Sequence, residues 1–188
     1  KKDILSLEKR TLCDETISSY TKAFKNLFIL EDSKAFEPIL RTRATVRTSD
    51  TRYFLDPSIA CAALGIGPID LENDLNTFGL LFENLVVRDL RIYADAIDGK
   101  VYHYRDNLDL ECDAVVHLRN GKYGLIEVKL GGEKLISEGI KSLNKLEEKL
   151  DTTKMKAPAF KMVITGVGKF AYKNKDGILI VPIGSLKD

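Results

Sequence analysis

The sequence predicts an α/β fold, a mixed sheet flanked by helices and preceded by a smaller α+β segment, and three observations carry that expectation. A helical pattern from about Leu75 to Ala96 is followed by strand-like runs at Val101–Arg105, Leu110–Leu118 and Tyr123–Lys129. Asn120-Gly121 between the last two runs is a strong hairpin turn signal. A second helical pattern, Glu133 to Leu150, then separates Tyr123–Lys129 from another apolar run, Phe160–Thr165. A helix between two strands allows them to lie parallel, so the sheet is expected to be mixed.

The elements before this core are shorter. Asp14 is placed to cap a helix whose apolar positions, Ile17, Tyr20, Phe24, Leu27 and Phe28, keep helical spacing. Ile29-Leu30, Phe36–Leu40 and Tyr53-Phe54-Leu55 read as short strands. Asp56-Pro57-Ser58 opens another helix, with proline in its first turn, that ends near Gly65-Ile66-Gly67-Pro68. That cluster is the expected boundary between a segment 1–68 and an α/β domain 69–188. In the second half, Gly131-Gly132 breaks the chain, and Ile136, Ile140, Leu143 and Leu150 form one stripe of the helix that follows. Ile178–Ile183 completes the set of strands.

Composition narrows the function classes. The 188 residues carry 29 basic and 28 acidic side chains, so any contact with nucleic acid must use a local patch. Cys13, Cys61 and Cys112 are far apart and sit in apolar surroundings, which fits buried thiols in a reducing, cytoplasmic compartment. Only two histidines, His103 and His117, are present, and both alternate with apolar residues as structural histidines do. A structural zinc site is not expected. No run has the roughly 18 apolar residues of a membrane span, and no glycine-rich loop ends in Lys-Ser or Lys-Thr to cradle a triphosphate.

Charge in apolar company marks the candidate site. On a strand, Glu127 and Lys129 share a face with Tyr123 and Leu125, where charged side chains are expected only if paired or ligand-bound. Asp113 lies on the preceding strand of the same hairpin. Glu83 stands among Leu80, Val86, Val87 and Leu90 on the long helix, a carboxylate inside an apolar stripe. Together they suit metal-assisted phosphodiester hydrolysis. Glu83, Asp113 and Glu127 offer hard oxygen ligands for Mg²⁺ or Mn²⁺, while Lys129 orients water and stabilises charge developing on the phosphate. An exposed Glu127–Lys129 ion pair, or a Glu83–Lys129 salt bridge in an inactive core, is the structural alternative.

This order, acid on a helix, acid on a strand, then acid-x-lysine on its hairpin partner, resembles the PD-(D/E)XK, or restriction-endonuclease-like, nuclease superfamily. The whole chain resembles the uncharacterised C-terminal region that follows the ATPase domain in a large family of prokaryotic AAA-type ATPases. The stretches that carry this resemblance are Tyr53–Ser58, Gly79–Val86, Tyr104-Arg105-Asp106, Glu111-Cys112-Asp113, Ile126–Lys129 and Asp176-Gly177-Ile178. The resemblance implies Asp113, Glu127 and Lys129 as catalytic positions and Glu83, Asp113 and Glu127 as metal positions. Cys112 stands where the superfamily's name has proline. A start at Lys-Lys-Asp, without methionine, fits a piece of a longer protein.

By the same resemblance, the N-terminal segment is similar to a winged helix. Arg41, Arg43, Arg47 and Arg52 fall in its wing-like part, either as DNA-backbone contacts or as a docking surface for the ATPase domain. Arg105 either binds a phosphate or pairs with Glu111, and Lys134, Lys141, Lys145 and Lys149 form a polar helix face interleaved with Glu138 and Glu148. The expected partners are DNA and the N-terminal ATPase domain, with no membrane and with a homo-oligomer left open. The rival readings are a non-catalytic DNA-binding or regulatory module on the same fold, and a structural dimerisation domain.

Overall fold

The structure, a computed structural model, describes residues 13–41 and 44–186; Arg43 lies outside the described residues. Its centre is a six-stranded mixed sheet in the order Gly99–Arg105, Glu111–Leu118, Tyr123–Lys129, Phe160–Thr165, Leu179–Pro182, Tyr172–Lys173. β3 (Gly99–Arg105), β4 (Glu111–Leu118) and β5 (Tyr123–Lys129) form an antiparallel meander. β6 (Phe160–Thr165) runs parallel to β5, as the intervening helix requires, and β8 (Leu179–Pro182) runs parallel to β6. A two-residue edge strand, β7 (Tyr172–Lys173), pairs antiparallel with β8. It is too short to have been visible as a periodic run. Gly124 on β5 lies directly under the Phe160 ring, where a Cβ would stand 2.1 Å from Cζ.

Helices cover both faces. α4 (Leu75–Asp95) is capped by Asp74, whose carboxylate accepts from Asn76 N at 3.1 Å and Thr77 N at 3.2 Å. Its Phe82, Val86 and Leu90 pack on Ala114, Ile126, Val128 and Ile164. α5 (Glu133–Lys149) crosses from β5 to β6 and buries Leu143 and Leu146 against Leu125, Val163 and Ile180 on the other face. The alternation of β5 side chains between the two clusters is the period of two expected of a central strand.

The N-terminal part contains α1 (Asp14–Asn26), the two-stranded pair β1 (Leu30–Ser33) and β2 (Thr51–Phe54), α2 (Pro57–Leu64) and α3 (Pro68–Asn73). α2 begins and ends on its sequence signals: Asp56 accepts from Ser58 N at 2.8 Å, and Gly65 closes the helix in the left-handed region at φ 66°. α1 begins one residue earlier than a cap at Asp14 implies, with Cys13 in the cap position. Its apolar stripe stays largely exposed, Phe28 at 75%. Phe36–Leu40 forms single bridges instead of a strand. Ala35 pairs with His103 and Leu40 with Leu150, which draws Phe36 and Leu40 onto the α5-side core.

Asp106 fixes this junction. It is fully buried, and its carboxylate accepts from Lys149 Nζ at 2.5 Å, Tyr104 Oη at 3.1 Å, Leu108 N at 2.8 Å and Leu110 N at 3.1 Å. Burial alone raises a carboxyl's pKa, but the ammonium and the two amides outweigh it and hold Asp106 below the usual range. Asp106→Ala is expected to destabilise the fold by about 3 kcal/mol or more, because it leaves a half-buried ammonium and two amides unpaired. Urea denaturation followed by circular dichroism measures this; a change below about 1 kcal/mol would show that the network carries little stability.

Candidate functional site

A β-bulge shapes the site. Tyr102 pairs with Val115 but Tyr104 pairs with Cys112, so β4 carries one more residue than β3 between those points. In consequence Val115 and Cys112, three apart, both pack in the α5-side core, while Ala114 packs on the α4 side. Asp113 sits in this irregular stretch and reaches the same cavity as Glu83 of α4. Its Oδ2 accepts from Val128 N at 2.7 Å, which ties it to the end of β5.

Lys129 is the hub. Its Nζ lies 2.7 Å from Glu127 Oε2 and 3.4 Å from Asp113 Oδ2. Glu127, 3% exposed, is enclosed on the α5 side, where Ser142 Oγ lies 3.0 Å from its Oε1 and Gly139 lets the helix backbone approach. Glu83 accepts from Tyr53 Oη at 2.7 Å. The four predicted head groups therefore form a chain from Glu83 through Asp113 and Lys129 to Glu127. Glu83, Asp113 and Lys129 line one cavity of about 620 Å³ together with Phe78, Leu80, Leu135 and Val167; Glu127 backs Lys129 without lining it. A second cavity of about 230 Å³, between the end of α4 and the β4–β5 hairpin, is almost wholly apolar and holds no comparable charge cluster.

Two side chains in this chain escaped sequence reasoning. Tyr53 comes from β2, and only the apolar run Tyr53-Phe54-Leu55 marked its position, with no sign that its hydroxyl reaches Glu83. Ser142 lies on α5 among Lys141, Leu143 and Asn144, with no local signal.

Electrostatics follow from the arrangement. Burial, then repulsion from Asp113, pushes both Glu83 and Glu127 up to about 7. The Tyr53 hydroxyl and Lys129 pull Glu83 the other way, as Lys129 and Ser142 do for Glu127. Burial works against the Lys129 ammonium, but the carboxylates of Asp113 and Glu127 win and hold it well above its ordinary value. Burial and the Glu83 charge raise the Tyr53 phenol, so it stays a proton donor at neutral pH.

The predicted arginines are dispersed and engaged with the chain's own groups. Arg47 pairs with Asp109 at 2.9 Å, and Arg105 with Glu111 at 2.9 Å, the second of the two roles left open for it. Arg52 pairs with Asp32 at 3.2 Å, and Arg41 donates to Thr152 at 2.7 Å. Lys149 is held by Asp106, not displayed on a polar face. His103 is buried, and its Nδ1 has no hydrogen-bond partner among the described residues.

Residues 78–186 match the family described as Domain of unknown function (DUF4143), more than half of the chain and every site residue except Tyr53. The chain belongs to the DUF4143 family. Comparison with curated proteins and with solved structures found no match. Among the described residues of this DUF4143 chain, no helix is long and apolar enough to cross a membrane.

Glu83 and Glu127 bind protons more readily when folded than in the unfolded chain, where glutamate titrates near 4.3. The folded state then holds more protons across that interval, so stability falls as pH rises from about 5 to about 8 and levels off above. Thermal melts should show this slope, and Glu127→Gln should flatten it; an unchanged slope would place the titration elsewhere. Tyr53→Phe removes a donor that favours the charged carboxylate, so the Glu83 pKa, read by carboxyl carbon NMR, should rise.

Proposed function

We propose that this DUF4143 region is a nuclease-like domain, with a restriction-endonuclease-like sheet and a winged-helix-like N-terminal segment, that works as the C-terminal part of an AAA-type ATPase and hydrolyses phosphodiester bonds of DNA. The observation that carries the reading is the convergence of Glu83, Asp113 and Lys129 on one cavity, with Glu127 directly behind the lysine. A strand-borne ammonium beside a carboxylate pair is what stabilisation of a phosphate's developing charge requires.

The donor set fits a hard divalent cation in type and charge. Three carboxylates face one ammonium, and the two that burial and repulsion raise to about 7 are short of positive charge. Asp113 and Glu127, with Glu83, would hold Mg²⁺ or Mn²⁺. Among the described residues no three such side chains are already gathered to hold a metal, because Lys129 stands between Asp113 and Glu127. Binding therefore requires the ammonium to move aside. When bound, the ion supplies neutralisation of phosphate charge and activation of water.

The chain's own groups do the remaining work. Lys129 moves from its carboxylates to a non-bridging phosphate oxygen or the attacking water. Glu83 lines the cavity, and the Tyr53 hydroxyl holds its carboxyl in place as an oxygen ligand. Leu80, Leu135 and Val167 give the open mouth an apolar rim.

One observation favours a second reading, a non-catalytic regulatory or DNA-binding module: Lys129 is already neutralised internally by Asp113 and Glu127. Calorimetry with Mn²⁺ and a cleavage assay on labelled DNA and RNA separate the two. The nuclease reading expects metal binding that Asp113→Asn abolishes, and cleavage that falls by at least about a hundredfold in Lys129→Ala with substrate affinity nearly unchanged. Metal binding without cleavage by the wild type selects the regulatory module; absence of both rejects the nuclease reading.

A further inference from the structure

Six lysines, Lys154, Lys156, Lys161, Lys169, Lys173 and Lys175, lie between Asp151 and Asp176, and no acidic residue does. In a chain whose formal charge is only +1, this is a strongly biased stretch. The first three lysines are occupied: Lys154 pairs with Asp151 at 3.3 Å, Lys156 donates to Asn120 O at 2.7 Å, and Lys161 pairs with Glu147 at 2.6 Å. The other three are exposed and make no ion pair among the described residues. Between them stand two exposed aromatic residues, Phe170 at 68% and Tyr172 at 46%, with ring centroids 6.2 Å apart.

This edge abuts the candidate site. Gly166 N donates to Leu130 O at 3.1 Å, and Val167 packs on Gly131, whose φ of 139° and lack of a Cβ allow that approach. Val167 also lines the cavity that holds Glu83, Asp113 and Lys129. Across the sheet, Glu127 pairs with Val163, Val163 with Ile180 and Ile180 with Tyr172; Val163 and Ile180 are buried beneath α5, so the open route from Tyr172 to the cavity passes Val167 and not this row. Three strand spacings put Tyr172 and Glu127 ~14 Å apart.

The geometry points to a binding platform for single-stranded nucleic acid along residues 167–175: Phe170 and Tyr172 stack unpaired bases, Lys169, Lys173 and Lys175 contact phosphates, and the strand runs toward Lys129. The inference rests on the phosphodiesterase reading for what lies at the end of that path, and not for the binding itself. Exposed rings accept bases only where base faces are free, which a duplex denies them. Lysines at a sheet edge also discourage strand pairing, but two neighbouring exposed aromatics work against that purpose. A protein partner fits the aromatics but not three unpaired lysines, since lysine is depleted at protein interfaces.

Fluorescence anisotropy tests it on the intact chain, with labelled oligothymidylate, oligouridylate and a duplex of equal length, in EDTA so that no cleavage intervenes. The wild type should bind a single strand more tightly than the duplex. Phe170→Ala with Tyr172→Ala should weaken single-strand binding at least about tenfold. Leucine at both positions, which keeps apolar bulk without a π-face, should weaken it similarly, with the circular dichroism spectrum unchanged in both variants. Replacing Lys169, Lys173 and Lys175 by glutamine should lower the salt slope by about 0.7 per lysine. Duplex preference, wild-type affinity in the aromatic variants, or no binding of either single strand overturns the proposal. Binding is read in EDTA, without metal or cleavage, so loss of metal binding or cleavage in Asp113→Asn bears only on the phosphodiesterase reading.

Discussion

The arrangement at the end of β5 depends on one constraint: more negative than positive charge is held out of water. Glu127 is nearly fully buried, Asp113 and Glu83 are half-buried, and the one ammonium among them pairs with Asp113 and Glu127. Burying a carboxylate is costly unless its oxygens are bonded. Each here has at least one donor: Ser142 and Lys129 for Glu127, the Val128 amide and Lys129 for Asp113, and Tyr53 for Glu83. The donors do not remove the repulsion, which reaches the two glutamates chiefly from Asp113. A set so placed stabilises the fold poorly and takes up protons readily. Purely structural ion pairing does not call for three carboxylates.

The N-terminal segment is part of that arrangement. Along α4, Asn84, Arg88 and Arg91 follow one another on a single face and hold β1, β2 and the start of α2. Asn84 substitutes for a strand neighbour, accepting from Phe54 N at 2.9 Å and donating to Phe54 O at 2.8 Å. Arg88 pairs with Asp56 at 2.5 Å, while Arg91 pairs with Glu31 and lies over the Tyr53 ring, 5.6 Å from its centroid. This clamp sets the position of the Tyr53 hydroxyl on Glu83. Movement of the segment relative to α4 would therefore alter the charge state of the cavity.

The regular elements were legible because their periodicity and punctuation agree. The β4–β5 hairpin, the α5 crossover and the parallel β6 all follow from apolar spacing with Asn120-Gly121 and Gly131-Gly132 as breaks. Glu127 and Lys129 stood out as a candidate because strand alternation put charge on a face shared with Tyr123 and Leu125. What alternation cannot reveal is a bulge: strict period two through β4 keeps Asp113 in line with Val115, whereas the extra residue there reorients the stretch that meets Glu83. Tyr53 and Ser142 were hidden for a different reason. Their contacts, across thirty residues to Glu83 and fifteen to Glu127, are tertiary. Arginine pairing was equally invisible, since Arg47 finds Asp109 sixty-two residues away.

The location of the site follows from the topology as much as from its residues. β5 and β6 run parallel and end together, Lys129 opposite Thr165, and both chains then turn through glycines, Gly131-Gly132 and Gly166. In open α/β sheets the crevice beyond the carboxyl ends of parallel strands is where ligands bind, because helices and loops leave it uncovered. Here the charged side chains stand on strands and a capped helix, and the mouth is built from the loop after β6 and the first turns of α4 and α5. Placement of charge on regular elements beside an open mouth is what a binding site requires. A dimerisation surface has no need of it, for it gains nothing from Glu127 sealed beneath Lys129.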